Sequence, residues 1–97
     1  MVLSIHDRKE LESLIKAATN DSKTLADLAR KMIPRQGNVE EFAYGLICGL
    51  VLGNFIERFT KINERQPDRD EMADLFLIMM RRMPAVRKAI MGEFESI

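Results

Sequence analysis

From Asn38 to Gln66 the chain meets no helix breaker stronger than glycine, and three glycines, Gly45, Gly49 and Gly53, recur every four residues in the middle of that stretch. The stretch reads as one long helix, helix 3, of about 27 residues and about 40 Å. Asn38 followed by Glu41 is a capping-box pattern that opens it, and Gln66-Pro67 closes it. A glycine inside a helix costs about 0.5–1 kcal/mol relative to alanine, so three together cost about 2–3 kcal/mol. That cost must be offset. Without Cβ atoms along the stripe, another helix brings its backbone close and gains dense van der Waals contact. The motif argues for close approach of a helix and leaves open whether the neighbour comes from this chain or another; an intramolecular neighbour is the simpler expectation.

The rest of the chain shows the same 3.6-residue periodicity, without the sustained alternation of β-branched and aromatic residues that marks strands. The fold class is therefore all-α: a four- or five-helix bundle around a long central hydrophobic helix 3. Helix 1 starts at Ser4, whose hydroxyl caps the N–H near Asp7, and runs to about Ala18 with Leu11, Leu14, Ile15 and Ala18 on one face. Helix 2 begins near Ser22 or Thr24, carries Leu25, Leu28, Ala29 and Met32, and stops before Pro34, with Pro34 to Asn38 as a loop. Asp68, with Glu71 at the reciprocal position, opens helix 4, which runs to about Met83. Pro84 either starts a fifth helix over 85–95 or kinks one continuous helix.

With 97 residues and no linker, the whole of 1–97 forms a single helical domain. Fifteen Lys and Arg balance fifteen Asp and Glu, so no global basic field gathers nucleic acid or anionic membrane. A single Cys excludes an intrachain disulfide and points to a reducing, cytoplasmic compartment. Charges arrive by Asp7, so no secretory signal is expected. The apolar run Phe42 to Ile56 is short of a bilayer's hydrocarbon thickness, so a buried helix is expected there rather than a membrane span.

Chemistry is sparse. His6 has no second His with which to build a metal site, and it reads as a solvated side chain. Cys48 sits in Leu-Ile-Cys-Gly-Leu with no neighbouring cation, and reads as a buried, inert thiol. Glu71 and Asp74 stand three apart on helix 4, as carboxylates holding Mg²⁺ do in all-α phosphohydrolases, but Glu40, Glu41, Glu57 and Glu64 on helix 3 do not supply the second Glu-x-x-Glu or Glu-x-x-Asp pair such a site needs. They read as acids complementing a helix dipole. No phosphate loop is present. We therefore expect no catalytic residues, no metal and no cofactor: a non-enzymatic interaction or regulatory module.

Two surfaces suggest partners. Helix 2, the Gly37 loop and the start of helix 3 have the order of a helix-turn-helix, yet Val39, Glu40, Glu41, Phe42 and Ala43 would present acids to phosphate. A better basic feature is Arg81, Arg82, Arg87 and Lys88, either a solvated helix face or a phosphate-binding patch; it carries the alternative reading of a nucleic-acid binder. The second surface is apolar. On helix 4, Leu75, Met79, Met72, Met83, Phe76 and Met80 form the main face, while Leu77 and Ile78 extend the apolar arc to roughly 260°, far beyond the ~100° one core face uses. Five of the seven Met residues lie between Met72 and Met91, as core filler or as an adaptable groove for a partner helix. A helix of about 40 Å also overhangs partners of about 20 Å, unless helices 4 and 5 form one kinked rod or a second chain packs on it. The expectation is a homodimer with Leu77, Ile78 and Met80 at its interface.

Overall fold

The computed structural model describes residues 2–32 and 38–95, which form four helices and no strand: α1 (Ile5–Asn20), α2 (Ser22–Met32), α3 (Val39–Asn63) and α4 (Arg69–Glu95). The loop expected at Pro34 to Asn38 lies outside the described residues except for Asn38.

Local chemistry sets the helix starts. Ser4 Oγ accepts the Asp7 N–H at 3.0 Å, and Asn38 Oδ1 accepts the Glu41 N–H at 3.0 Å. At α4 the box is reciprocal: the Glu71 N–H donates to Asp68 Oδ1 at 2.8 Å, and the Asp68 N–H donates to Glu71 Oε1 at 2.9 Å. Helix α3 ends at Glu64, which takes a left-handed conformation with φ 56° and donates its N–H to the Thr60 carbonyl. That position usually belongs to glycine, so no compositional signal announced it.

Pro84 does not divide the last segment. Helix α4 runs unbroken for 27 residues, past the expected end at Met83, and there is no separate fifth helix. Buried Met79, Val86 and Ile90 on either side of the proline hold it in one rod. This continuity removes the overhang argument, because α4 matches the 25 residues of α3. The two long rods run antiparallel: Glu41 at the start of α3 pairs with Arg87 late in α4, and Arg65 beyond the end of α3 pairs with Glu71 at the start of α4.

The shorter helices make a third, broken rod. Glu10 of α1 pairs with Arg58 of α3 and Glu12 pairs with Arg82 of α4, while Arg30 of α2 donates to the Glu93 carbonyl near the end of α4. The result is an elongated bundle of 45 × 22 × 18 Å. Each helix touches the other three, and α3 makes the most extensive contacts of the four. Its buried residues form one row, Ala43, Ile47, Val51, Phe55 and Phe59, joined by Leu11 and Ile15 from α1, Leu25, Ala26 and Ala29 from α2, and Leu75, Met79, Val86 and Ile90 from α4. Phe55 and Phe59 stack along this row with ring centroids 6.1 Å apart.

Candidate functional site: an open apolar face on α3 and α4

Spacing of four divides α3 into parallel rows, and the glycines stand two residues from the buried row, about 200° around the helix. They face away from the core. A Cβ built on Gly45, Gly49 or Gly53 meets nothing within 4 Å, so the expectation of an intramolecular neighbour is overturned. A bundle of three rods covers each rod on one side only, and the glycine trough lies on the uncovered side.

Between the trough and α4 runs the row Tyr44, Cys48 and Leu52. Together with Phe76, Met79, Met80, Met83, Pro84 and Arg87 it lines an open groove of about 690 Å³ that is almost entirely apolar. The face expected to be the core side of α4 is therefore split. Leu75 and Met79 are buried and Met72 and Met83 are half-buried, but Phe76 is 48% exposed and Met80 71% exposed. Phe76 and Met80 rise along the groove edge as a ridge. Sequence periodicity assigned both to the core arc because it cannot say where the covering rod stops.

The three residues expected at an interface separate. Met80 belongs to the groove. Leu77, 51% exposed, lies outside it beside Val2, Asp70, Ala73 and Asp74. Ile78 is half-buried against the core, between Arg8, Glu12, Arg81 and Arg82 on the α1 side. Ile78 is thus core packing, and the open apolar surface belongs instead to Phe76, which periodicity placed on the core face of helix 4, and to Leu52 and Tyr44, which were not expected at an interface.

The groove chemistry is quiet. Cys48 is half-buried rather than buried, and its thiol lies 3.1 Å from Met83 Sδ. Burial pushes the Cys48 pKa up, which keeps it a thiol rather than a nucleophilic thiolate. At the groove mouth Arg87 sits 5.2 Å from the Tyr44 ring centroid and donates to Glu41 through its two terminal guanidinium nitrogens. Those hydrogen bonds hold the Glu41 carboxyl below its ordinary range.

Arg87 is also one of the four cations of the expected basic cluster, which does not assemble. Arg82 donates to Glu12 at 2.9 Å on the α1 side, while Arg87 is engaged on the opposite side with Glu41. Arg81 is exposed beside Arg82 on the α1 side, and Lys88 is exposed seven residues further along α4. The carboxylates Glu71 and Asp74 are likewise occupied. Glu71 is held by Arg65 at 2.6 and 3.0 Å, and Asp74 Oδ2 accepts from the Leu3 N–H at 3.1 Å and from Arg8 at 2.8 Å. Beyond dipole complementarity, these acids clamp the α3–α4 turn and the N-terminal segment. No group of three or more His, Cys, Asp or Glu among the described residues is placed to hold a metal ion, and His6 is exposed.

By length and composition alone, α3 is long and apolar enough to cross a membrane, which the run Phe42 to Ile56 by itself did not suggest. One row of it is the bundle core. Comparison with family models, with curated proteins and with solved structures finds no match.

Proposed function

We propose that the chain is a non-enzymatic helical interaction module that works as a homodimer, with the open α3–α4 face as its contact surface. One observation carries this reading: the glycine trough, the groove and the Phe76–Met80 ridge form neighbouring parts of one uncovered apolar face. Such a face costs solubility unless something covers it, and the three glycines cost helix stability with no compensation inside the chain. A second copy offers the same trough and ridge, so one face serves both partners under two-fold symmetry. The alternative of nucleic-acid binding through Arg81, Arg82, Arg87 and Lys88 is less favoured, since Arg82 and Arg87 each have an acidic partner, Glu12 and Glu41, in the chain.

Light scattering on the purified chain is expected to give twice the chain mass at tens of micromolar, on the order of a modest interface's affinity. Phe76→Glu with Met80→Lys should reduce it to the mass of one chain, whereas Leu77→Glu, outside the groove, should leave the dimer intact. A monomeric wild type sinks the homodimer reading. Co-flotation of that monomer with phosphatidylcholine vesicles would assign the face to lipid instead.

A further inference from the structure

We propose that the α3–α4 groove is a binding site for a soft monovalent cation, Cu(I), held by the Cys48 thiolate together with the thioethers of Met83 and Met80. The ligands all come from one chain, so the site does not depend on the homodimer reading.

The groove gathers sulfur from two helices. Cys48 on α3 and Met79, Met80 and Met83 on α4 line the same space, and Cys48 Sγ lies 3.1 Å from Met83 Sδ, so two soft ligands from facing helices meet before any ion is bound. The other two thioethers belong to the preceding turn. Met80 and Met79 stand three and four residues before Met83, the spacing of side-chain neighbours on a helix. Long side chains on a helix lean back toward its N-terminus, which carries the Met83 thioether over the turn that holds Met79 and Met80. Exposure divides the roles of these two. Met79 is 5% exposed and forms part of the core beneath the groove, whereas Met80 is 71% exposed on the open edge. An unbranched side chain with three rotatable bonds lets Met80 swing its sulfur over the cleft as the third ligand.

Ligand chemistry and charge select the ion. Among the residues lining the groove there is no carboxylate and no imidazole; beside the sulfurs, the polar side chains are Tyr44 and Arg87, and Arg87 is engaged by Glu41. Mg²⁺ and Ca²⁺ require several oxygen ligands, which this lining does not offer. Zn²⁺ takes thiolate, imidazole or carboxylate, and a single thiolate is one such ligand where a structural site uses four. A divalent ion on one thiolate also leaves net positive charge in an apolar groove, where charge is costly to bury. Cu(I) on one thiolate is neutral. Thiolate and thioether are the soft ligands that suit it. Binding is an exchange without redox change: the Cys48 S–H bond breaks, a Cu–S bond forms, the proton leaves to water, and the copper enters and stays as Cu(I).

Anaerobic titration of the purified chain with Cu(I) buffered by bicinchoninate tests the site. One Cu(I) per chain is expected, with the near-ultraviolet absorption of a copper–thiolate bond. Cys48→Ser should abolish uptake from the chelator. Met83→Leu and Met80→Leu conserve volume and should keep the helical circular dichroism, yet each should weaken binding about tenfold or more, the scale on which a lost contact to a metal site is felt. Met79→Leu is the control for packing beneath the groove, and should leave the affinity within about twofold. A wild type that leaves all Cu(I) with bicinchoninate overturns the site. So does a folded Met80→Leu, Met83→Leu double variant that binds as tightly as wild type, because the thiol alone would then account for the uptake. Displacement of Cu(I) by equimolar Zn²⁺ would overturn the choice of ion. Each of these failures leaves the homodimer reading untouched, since the stoichiometry is counted per chain.

Discussion

Glu71 is 3% exposed where α3 hands over to α4, and its carboxylate receives two N–H groups from Arg65 and the backbone N–H of Asp68. These donors, led by the Arg65 hydrogen bonds, hold its pKa below the ordinary 4.5. A carboxyl whose folded pKa is depressed stabilises the fold above its unfolded pKa and loses that contribution as pH falls through the folded value. Glu71→Gln should therefore cost about 1–2 kcal/mol at neutral pH, the scale of a lost cap and a charged hydrogen bond. Its urea stability should also fall less steeply than wild type below about pH 4.5; equal slopes would show that Glu71 does not carry this acid sensitivity. The glycines give the opposite sign. Gly49→Ala meets nothing within 4 Å, so in dilute, dissociated chain it should raise stability by about 0.5–1 kcal/mol in urea titrations. Destabilisation there would mean that the trough is filled from within the chain.

At the scale of elements, sequence was most informative where structure is local. Ser4, Asn38 and Asp68 announced three helix starts, because a capping side chain finds its N–H three residues on whatever the rest of the chain does. Pro84 was undecidable for the converse reason. Its local cost, about 3 kcal/mol in a helix interior, argues for a break, and only burial of Met79, Val86 and Ile90 along one continuous core line overrides it. That override predicts stored destabilisation. Pro84→Ala should restore the missing backbone hydrogen bond and raise the denaturation midpoint by the equivalent of about 1–3 kcal/mol, with helical circular dichroism unchanged or slightly stronger. A loss of stability would instead make the proline ring itself a requirement of the α3–α4 packing. The left-handed end of α3 at Glu64 was invisible for another reason: Arg65 reaches to Glu71 across the turn, a contact between elements that no residue pattern encodes.

For the whole molecule, the excess of apolar surface was legible and its location was not. Counting the arc on α4 revealed more hydrophobic surface than one core uses, but the division between Ile78, which packs inward, and Phe76 and Met80, which do not, depends on α1 and α2. Those helices form one broken rod, and it covers a single side of the α3–α4 pair. The uncovered side makes stability a function of concentration. If two copies close over the groove, folding and association are linked, and mass action raises Tm as the chain concentration rises. Scanning calorimetry from about 2 to about 200 μM should show an upward drift of several degrees, since a gain of 1 kcal/mol moves Tm by about 4–8 °C for a chain of this size. Phe76→Glu with Met80→Lys should abolish the drift and leave Tm at the dilute wild-type value, because both side chains stand outside the core and their loss opens no cavity. A wild-type Tm that stays constant across that range would show that no second copy covers this face.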